Sequence, residues 1–417
     1  MSLPVDTSTP VVILRSAQHG GLAVARSLGR LGAPVYIVDG DPRTPGFFSR
    51  YCRQGFVWDF DGAPSERTVD YLLGIGRRLG RRALLIPTTD SGALFLASNA
   101  GPLRQSFLFP ETDPELAPSL CSKQRMQALA AAAGVPSPGT FFPQSRREAL
   151  DYAGRARYPV ILKAVEGSAA KTIAREKREL IDAYQIMEDR PEHPNVMLQE
   201  YIPGGDEASW MFNGYFNDRS ECLFGITGRK IRQNRPYAGI TSLGVCEANP
   251  EVAEITRRFM KAIGYRGILD LGYRYDARDG RYKVFDVNPR IGCTFRLFVS
   301  SNGMDVARAW YLDMTGQRVE PGDAAPGRKW MVEDLDLASS FRYWRDGAIT
   351  ARQWLQSYRG IQESAFLSDD DPRPALARCV NDLLEIGRRT FSTPRRNSQE
   401  PAVKRACLEQ SLRPSLQ

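Results

Sequence analysis

From residue 10 onward, short apolar runs alternate with segments of helical spacing. The runs are VVILR at 11–15, VYIVD at 35–39 and ALLIPT at 83–88. Helices are predicted at about 21–31, at about 65–79 and briefly beyond 88. Strands alternating with helices predict a parallel α/β sheet. His19-Gly20-Gly21 follows the first run, where doubly wound sheets meet ligands. It is not G-x-G-x-x-G, and two glycines serve a tight strand-to-helix turn equally well. Near 110 the punctuation changes to FPETDPELAPSLCSKQRM, then a helix runs to Gly134, a helix-ending glycine. The second half reads as mixed α+β. It has runs at 158–165 and 196–205, EASWMFNGYF, ECLFGITGRKIRQ, and helices at 175–189 and 251–263. Two strands, GILDLGYRYD and RYKVFDVNPR, are joined by the turn Ala277-Arg278-Asp279-Gly280. Helices at 350–359 and 374–388 precede a polar tail from 391, expected to be disordered.

The composition is that of a folded globular protein, with 42% hydrophobic and 25% charged residues in 417. The first residues carry no basic-then-apolar leader, and no run of eighteen apolar residues occurs, so neither secretion nor a membrane span is expected. Seven scattered cysteines without C-x-x-C read as reduced thiols of a cytoplasmic protein. His19 and His193, the two histidines, lie far apart, which argues against a zinc site. The formal charge is +8, but residues 388–417 hold seven Lys/Arg against two Glu. The body is then nearly balanced, and no nucleic-acid partner is expected.

Nine of the 56 cationic residues are lysine, so one at the end of the apolar run Pro159-Val160-Ile161-Leu162 calls for an explanation. Lys163 there needs an anion or an escape to solvent. The small residues that follow, 165–171, suit a loop laid over phosphates. In Phe285-Asp286-Val287-Asn288-Pro289-Arg290, strand alternation puts Asp286 and Asn288 on one face and Phe285 and Val287 on the other. A carboxylate beside an amide oxygen suits a hard cation, and Arg290 on the same side suits phosphoryl or carboxylate charge. The plainer reading is a surface strand end with a local Asp–Arg pair.

Lys123, Lys163, Gln199-Glu200-Tyr201-Ile202-Pro203-Gly204 and FDVNPR stand in the order of an ATP-grasp enzyme. Residues 10 to about 300 resemble the ATP-grasp superfamily, most of all its carboxylate–amine ligase branch, which includes D-aspartate ligase-like proteins. The resemblance implies a small parallel α/β domain at 1–112, a two-lobed ATP-grasp domain at 113–305, a helical C-terminal region at 306–390 and a basic tail at 391–417. It implies Lys123 and Lys163 on the ATP phosphates, a mobile flap at Gly167-Ser168, and Glu200 with the Tyr201 and Ile202 backbone on adenine. It also implies Glu207 on the ribose hydroxyls, Asp286 and Asn288 on Mg²⁺ or Mn²⁺, and Arg290 near the reacting groups. Gly228-Arg229-Lys230-Ile231-Arg232 resembles a TGRK-x-R segment of that branch, and alternation would aim Lys230 and Arg232 at phosphate together.

Where such families often place a further metal ligand, this chain has Gly272; Asp270, on the same strand face, is the expected substitute. Thr241-Ser242 and Thr294-Phe295-Arg296 are expected to border an acceptor pocket. The implied activity is ATP-dependent joining of a small-molecule carboxylate to an amine through an acyl phosphate, with a homodimer the commonest arrangement. The alternatives are an ATP-grasp protein that binds ATP for regulation, and a nicotinamide- or flavin-linked protein, which the absent G-x-G-x-x-G disfavours.

Overall fold

The computed structural model describes residues 5–16, 19–164, 171–189, 195–236 and 239–391, with the backbone alone at Lys171 and 385–391. Gly167 and Ser168 of the expected flap, His193 and the tail beyond 391 lie outside the described residues.

The first sheet is built from β1 (Val11–Leu14), α1 (His19–Leu31), β2 (Val35–Asp39), β3 (Cys52–Val57), α2 (Ser65–Leu79), β4 (Ala83–Pro87), α3 (Asp90–Ser98), α4 (Ala100–Leu103) and β5 (Phe107–Leu108). Its strands are all parallel in the order β3-β2-β1-β4-β5. Every residue of β1 and β4 is buried, which is why both read as continuous apolar runs. Strand order reverses at β1, so the crevice between the ends of β1 and β4 is the switch point of the sheet. The glycines after β1 answer to close packing: a Cβ on Gly21 would lie within 2.6–2.8 Å of Ser16, and Gly20 abuts Cys293.

Helices α5 (Leu116–Cys121) and α6 (Lys123–Ala132) lead to a second sheet. It contains β6 (Thr140–Phe141), α7 (Arg146–Arg155), β7 (Val160–Ala164), β8 (Lys171–Ala174), α8 (Lys177–Glu188) and β9 (Val196–Glu200), in the strand order β6-β9-β7-β8. Val160, Leu162 and Leu198 pack under Ala149, Ala153 and Leu180 of the two helices. Alternation along β7 therefore turns Lys163 to the uncovered face.

The third sheet has seven strands in the order β14-β13-β10-β11-β12-β15-β16. They are β10 (Ser209–Phe216), β11 (Cys222–Asn234), β12 (Ile240–Cys246), β13 (Gly267–Asp276), β14 (Arg281–Asn288), β15 (Lys329–Met331) and β16 (Ile361–Ser364), with α9 (Pro250–Ala262) between β12 and β13. One face, with Phe212, Leu271, Tyr273 and Val287, packs on α9, α5 and α6. The other, with Met211 and Tyr215, joins the core of the first sheet. The region after 305 supplies α10 (Val306–Met314), α11 (Glu333–Arg345), α12 (Ala351–Ser357) and α13 (Arg373–Phe391), and also the strands β15 and β16.

The C-terminal region returns to the first sheet. Arg26 of α1 is buried, its Nε donating to Asp371 Oδ2 at 3.0 Å and its terminal nitrogens to the carbonyls of Ala365 and Phe366. Ser49 donates to Asp371, Arg30 to Asp370, and Ser27 to Asp305 at 2.6 Å. His19, at the start of α1, is enclosed by Trp330 and Phe366. The six described cysteines form no disulfide. Among the described residues, no helix is long and apolar enough to cross a membrane.

Candidate functional site

Antiparallel register decides which polar groups meet. Asn213, Asp270 and Asn288 stand opposite one another on β10, β13 and β14, and Met211, Gly272 and Asp286 form the adjacent row. Directly opposed residues share a face, so Asp270, Asp286 and Asn288 project together. Asn288 Nδ2 donates to Asp286 Oδ2 at 3.0 Å and to the Asp270 carbonyl at 3.2 Å, while its Oδ1 accepts from Arg290 at 3.1 Å. Lys123, the first residue of α6, donates to Asp286 Oδ1. Burial pushes the Asp286 carboxyl up, but Lys123, Asn288 and Arg290 outweigh it and hold the group well below the usual carboxylate range. Burial raises Asp270.

A register shift lies between Gly272 and Tyr273, where β14 carries Phe285 as the extra residue. This corrects the strict alternation expected along FDVNPR. The Phe285 ring lies over Gly272 on the Asp286 side, and a Cβ on Gly272 would come within 2.8 Å of it. An aromatic edge thus occupies the place of a third ligand. Asp270 is held tightly instead, with Gly292 packed against its carboxylate so closely that a side chain there would collide.

Arg290 links the third sheet to the first. Its Nε donates to Asp90 Oδ1 at 2.9 Å, and one terminal nitrogen is 3.9 Å from Asp270 Oδ2. Asp90 opens α3, whose N-cap is Thr89, at the switch point of the first sheet. Its neighbour Ser91 accepts from Arg15, a residue in the left-handed region at φ 67°. Arg15 also grips Asp61 with both terminal nitrogens, at 2.6 and 2.7 Å. The Cys121 thiol, beside Asp90, Arg290, Lys123 and Asp286, is pushed by burial to about 11. Sequence patterning missed Asp90, Asn213 and Cys121. The side-chain period within one strand carries no information about register between strands or about a neighbouring domain.

Lys163 Nζ donates to Gln199 Oε1 at 2.6 Å, and Gln199 and Gln127 both donate to Thr140 Oγ1. Gln127 is one turn from Lys123 on α6, so this chain of hydrogen bonds leads from Lys163 toward the site. Glu200 ends β9, and the 201–205 segment joins the second sheet to the third. The Glu200 carboxylate accepts from Lys283 at 2.9 Å, from Gly139 N–H and from Arg278. The Tyr201 N–H donates to the Pro159 carbonyl and the Ile202 carbonyl accepts from Arg274. The Tyr201 N–H is thus taken up within the fold, which leaves its carbonyl as the group of that residue able to meet adenine. Glu207 is exposed and accepts from Gly205 N–H.

Lys230 reaches Gln233 Oε1 at 3.1 Å and the Gly239 carbonyl at 3.0 Å. Arg232 does not join it. The ladder between β11 and β12 slips at Ile231, which breaks the alternation, and Arg232 is buried in a two-pronged pair with Asp336 of α11 at 2.7 and 3.0 Å. Its expected place on phosphate is corrected accordingly. Ser242 donates to the same Asp336, and Arg296 pairs with Asp305 and Glu363.

The donor set fits a hard divalent cation: two carboxylates, Asp270 and Asp286, with the amide oxygen of Asn288. Fully buried Asn213 lies opposite Asp270, and its amide makes no hydrogen bond of good geometry. Among the described residues there is no cluster of three His, Cys, Asp or Glu.

No protein-family model matches the chain. It is 24% identical over 243 residues to a D-aspartate ligase of Enterococcus faecium, covering 55% of this chain and 58% of that protein. It is 22% identical over 254 residues to the C-terminal section of the carbamoyl phosphate synthase large chain of Methanopyrus kandleri, covering 56% and 45%. The chain thus spans about half the length of these curated relatives. Among solved structures, N5-carboxyaminoimidazole synthetase from Staphylococcus aureus in complex with ADP aligns with a TM-score of 0.61 at 13% identity, over 78% of this chain and 81% of that one. The biotin carboxylase domain dimer of the Hydrogenobacter thermophilus 2-oxoglutarate carboxylase, in complex with MgADP, ADP and bicarbonate, aligns with a TM-score of 0.58 at 18% identity, over 76% and 72%. In fold the chain is similar to these solved structures, and in sequence to the D-aspartate ligase and carbamoyl phosphate synthase, proteins that share the order of motifs of the ATP-grasp superfamily it resembles.

Proposed function

We propose that the protein is an ATP-dependent carboxylate–amine ligase that releases ADP and forms a carbon–nitrogen bond. The observation that carries this reading is the meeting of Lys123, Asp286, Asn288, Asp270 and Arg290 within one hydrogen-bonded cluster at the end of β14. In this reading Lys123 and Lys163, with Gly167 and Ser168, bind the ATP phosphates. Glu200 and the Tyr201 and Ile202 backbone border adenine, and Glu207 receives the ribose. Asp286, Asn288 and Asp270 would hold Mg²⁺ or Mn²⁺, which supplies charge neutralisation at the phosphates. Lys230 and Arg290 offset the negative charge that develops on the transferred phosphoryl and acyl groups.

A carboxylate oxygen attacks the γ-phosphorus and ADP leaves. The amine nitrogen then attacks the acyl carbon, phosphate leaves, and the ammonium proton passes to solvent or a base. Phosphoryl transfer needs charge and in-line placement more than covalent help from the protein. The substrates in this reading are small molecules, the domain limits are those expected from the sequence, and the protein is a cytoplasmic homodimer. An ADP-release assay with Mg²⁺-ATP and pooled carboxylic acids and amines tests it. Turnover only with particular acid–amine pairs, lost in Asp286→Ala/Asn288→Ala, is the expected result. Saturable ATP binding with no turnover across the pool would overturn it in favour of a regulatory ATP binder, the reading that Phe285 over Gly272 favours.

A further inference from the structure

Behind Arg290, between the first sheet and the third, lies a narrow cleft with about 70 Å³ of interior room. Ala93 and Ala97 of α3, Leu116 and Ala117 of α5, Ile268 of β13 and Trp310 of α10 line it, and Arg290 stands at one end. Small side chains on α3 and α5 keep it open. No acidic side chain lines it, and the bordering Arg104 and Arg266 donate to the carbonyls of Phe109, Pro110 and Glu111. Beyond the three arginines, Thr112 and Tyr265, the lining is apolar, with one further exception. Trp310 is 3% exposed, and its indole N–H, a donor with no acceptor capacity, has no partner among the described residues. A buried donor left unmade points to a missing acceptor. An engineered apolar cavity of about 150 Å³ takes benzene, so half that room suits a chain of about three or four carbons.

We infer that this cleft receives the uncharged aliphatic chain of the substrate acid, its carboxylate at Arg290 and an ether, carbonyl or hydroxyl oxygen of the chain accepting from Trp310 Nε1. The inference rests on the ligase reading for the placement of the carboxylate, and it deepens that reading by naming the class of acid. Arg104 and Arg266 are held by backbone carbonyls, and no carboxylate stands in the cleft to meet an ammonium on the chain.

The test is calorimetric binding, without ATP, of straight-chain carboxylic and 2-amino acids of two to six carbons, with and without a chain ether oxygen. It is run on the full chain and on Ala97→Leu and Trp310→Phe, beside ADP release with the same acids and pooled amines. Circular dichroism and ATP binding check that both variants fold. Binding is expected to peak when three or four carbons extend beyond the carboxylate and to be about tenfold tighter with the ether oxygen, the scale of one hydrogen bond. Ala97→Leu should remove the length preference, and Trp310→Phe only the preference for oxygen. A length preference unchanged in Ala97→Leu, an oxygen preference unchanged in Trp310→Phe, or no binding of any acid overturns the inference. Cleft-dependent binding without ADP release would sink the ligase reading alone. ADP release indifferent to both variants would sink the cleft alone.

Discussion

Arg290 and Asp90, 200 positions apart in the chain, meet at 2.9 Å, so the first parallel sheet reaches into the cluster at the end of β14. Asp90 is 54% exposed while Arg290 is 16% exposed. The pair therefore contributes little to stability and orients the guanidinium instead. Asp90→Asn is expected to leave the unfolding midpoint nearly unchanged. ADP release should fall by roughly ten- to a hundredfold, the scale of a small misplacement of a reacting group. An unchanged rate would show that Arg290 needs no partner from the first sheet.

Gly272 is covered by the Phe285 ring. Gly272→Glu must displace that ring and is expected to destabilise the fold by about 1–3 kcal/mol, as overpacking does. Gly272→Glu/Phe285→Ala should recover part of that loss in urea denaturation and add a carboxylate opposite Asp286. Equal stability of the single variant and the parent chain would mean that the ring moves freely.

Two cations expected side by side, Lys230 and Arg232, should part company on mutation. Arg232→Ala strips the partner from a buried Asp336 and is expected to cost about 3–5 kcal/mol of folding free energy. Lys230→Ala, at a partly buried position beside Gln233, should keep the fold and lower ADP release. Thermal denaturation beside the ADP assay separates the two. Comparable stability losses in both would contradict the placement of Arg232.

Burial between Trp330 and Phe366 pushes the His19 imidazole down to about 4. A depressed folded value means that the unfolded chain takes up the proton first. The contribution to stability is complete above about pH 6.5 and is lost as the pH falls toward 4. Roughly 3 kcal/mol should disappear across that window in urea titrations, given about 1.4 kcal/mol per pH unit. In His19→Phe, the same window should be flatter; an unaltered slope would assign the acid sensitivity to other groups.

Elements with one strong periodicity were legible in the sequence. The helix expected at 65–79 is α2, and GILDLGYRYD is β13 over Gly267–Asp276. The convergence of Asp286, Asn288 and Arg290 was legible as well, because near neighbours on one strand end stay together whatever the register. What escaped was set by contacts across the chain. A single extra residue at Phe285, and another at Ile231, overturned side assignments that assume an unbroken period of two. Arg232 reads as an exposed cation until its partner, Asp336, is known to lie 104 residues away. Short strands such as β15 and β16 carry too few positions to show a period and gain their state from the edge of the sheet they extend.

The clasp of Arg26 by Ala365, Phe366 and Asp371 has a consequence for biosynthesis. Arg26 leaves the ribosome some 345 residues before Asp371, a delay of about 20–70 s at 5–20 residues per second. Throughout that interval the first helix carries a buried-type guanidinium without its acceptors, and His19 lacks the aromatic walls supplied by Trp330 and Phe366. The first sheet therefore gains these contacts only after residues 330–371 have been made.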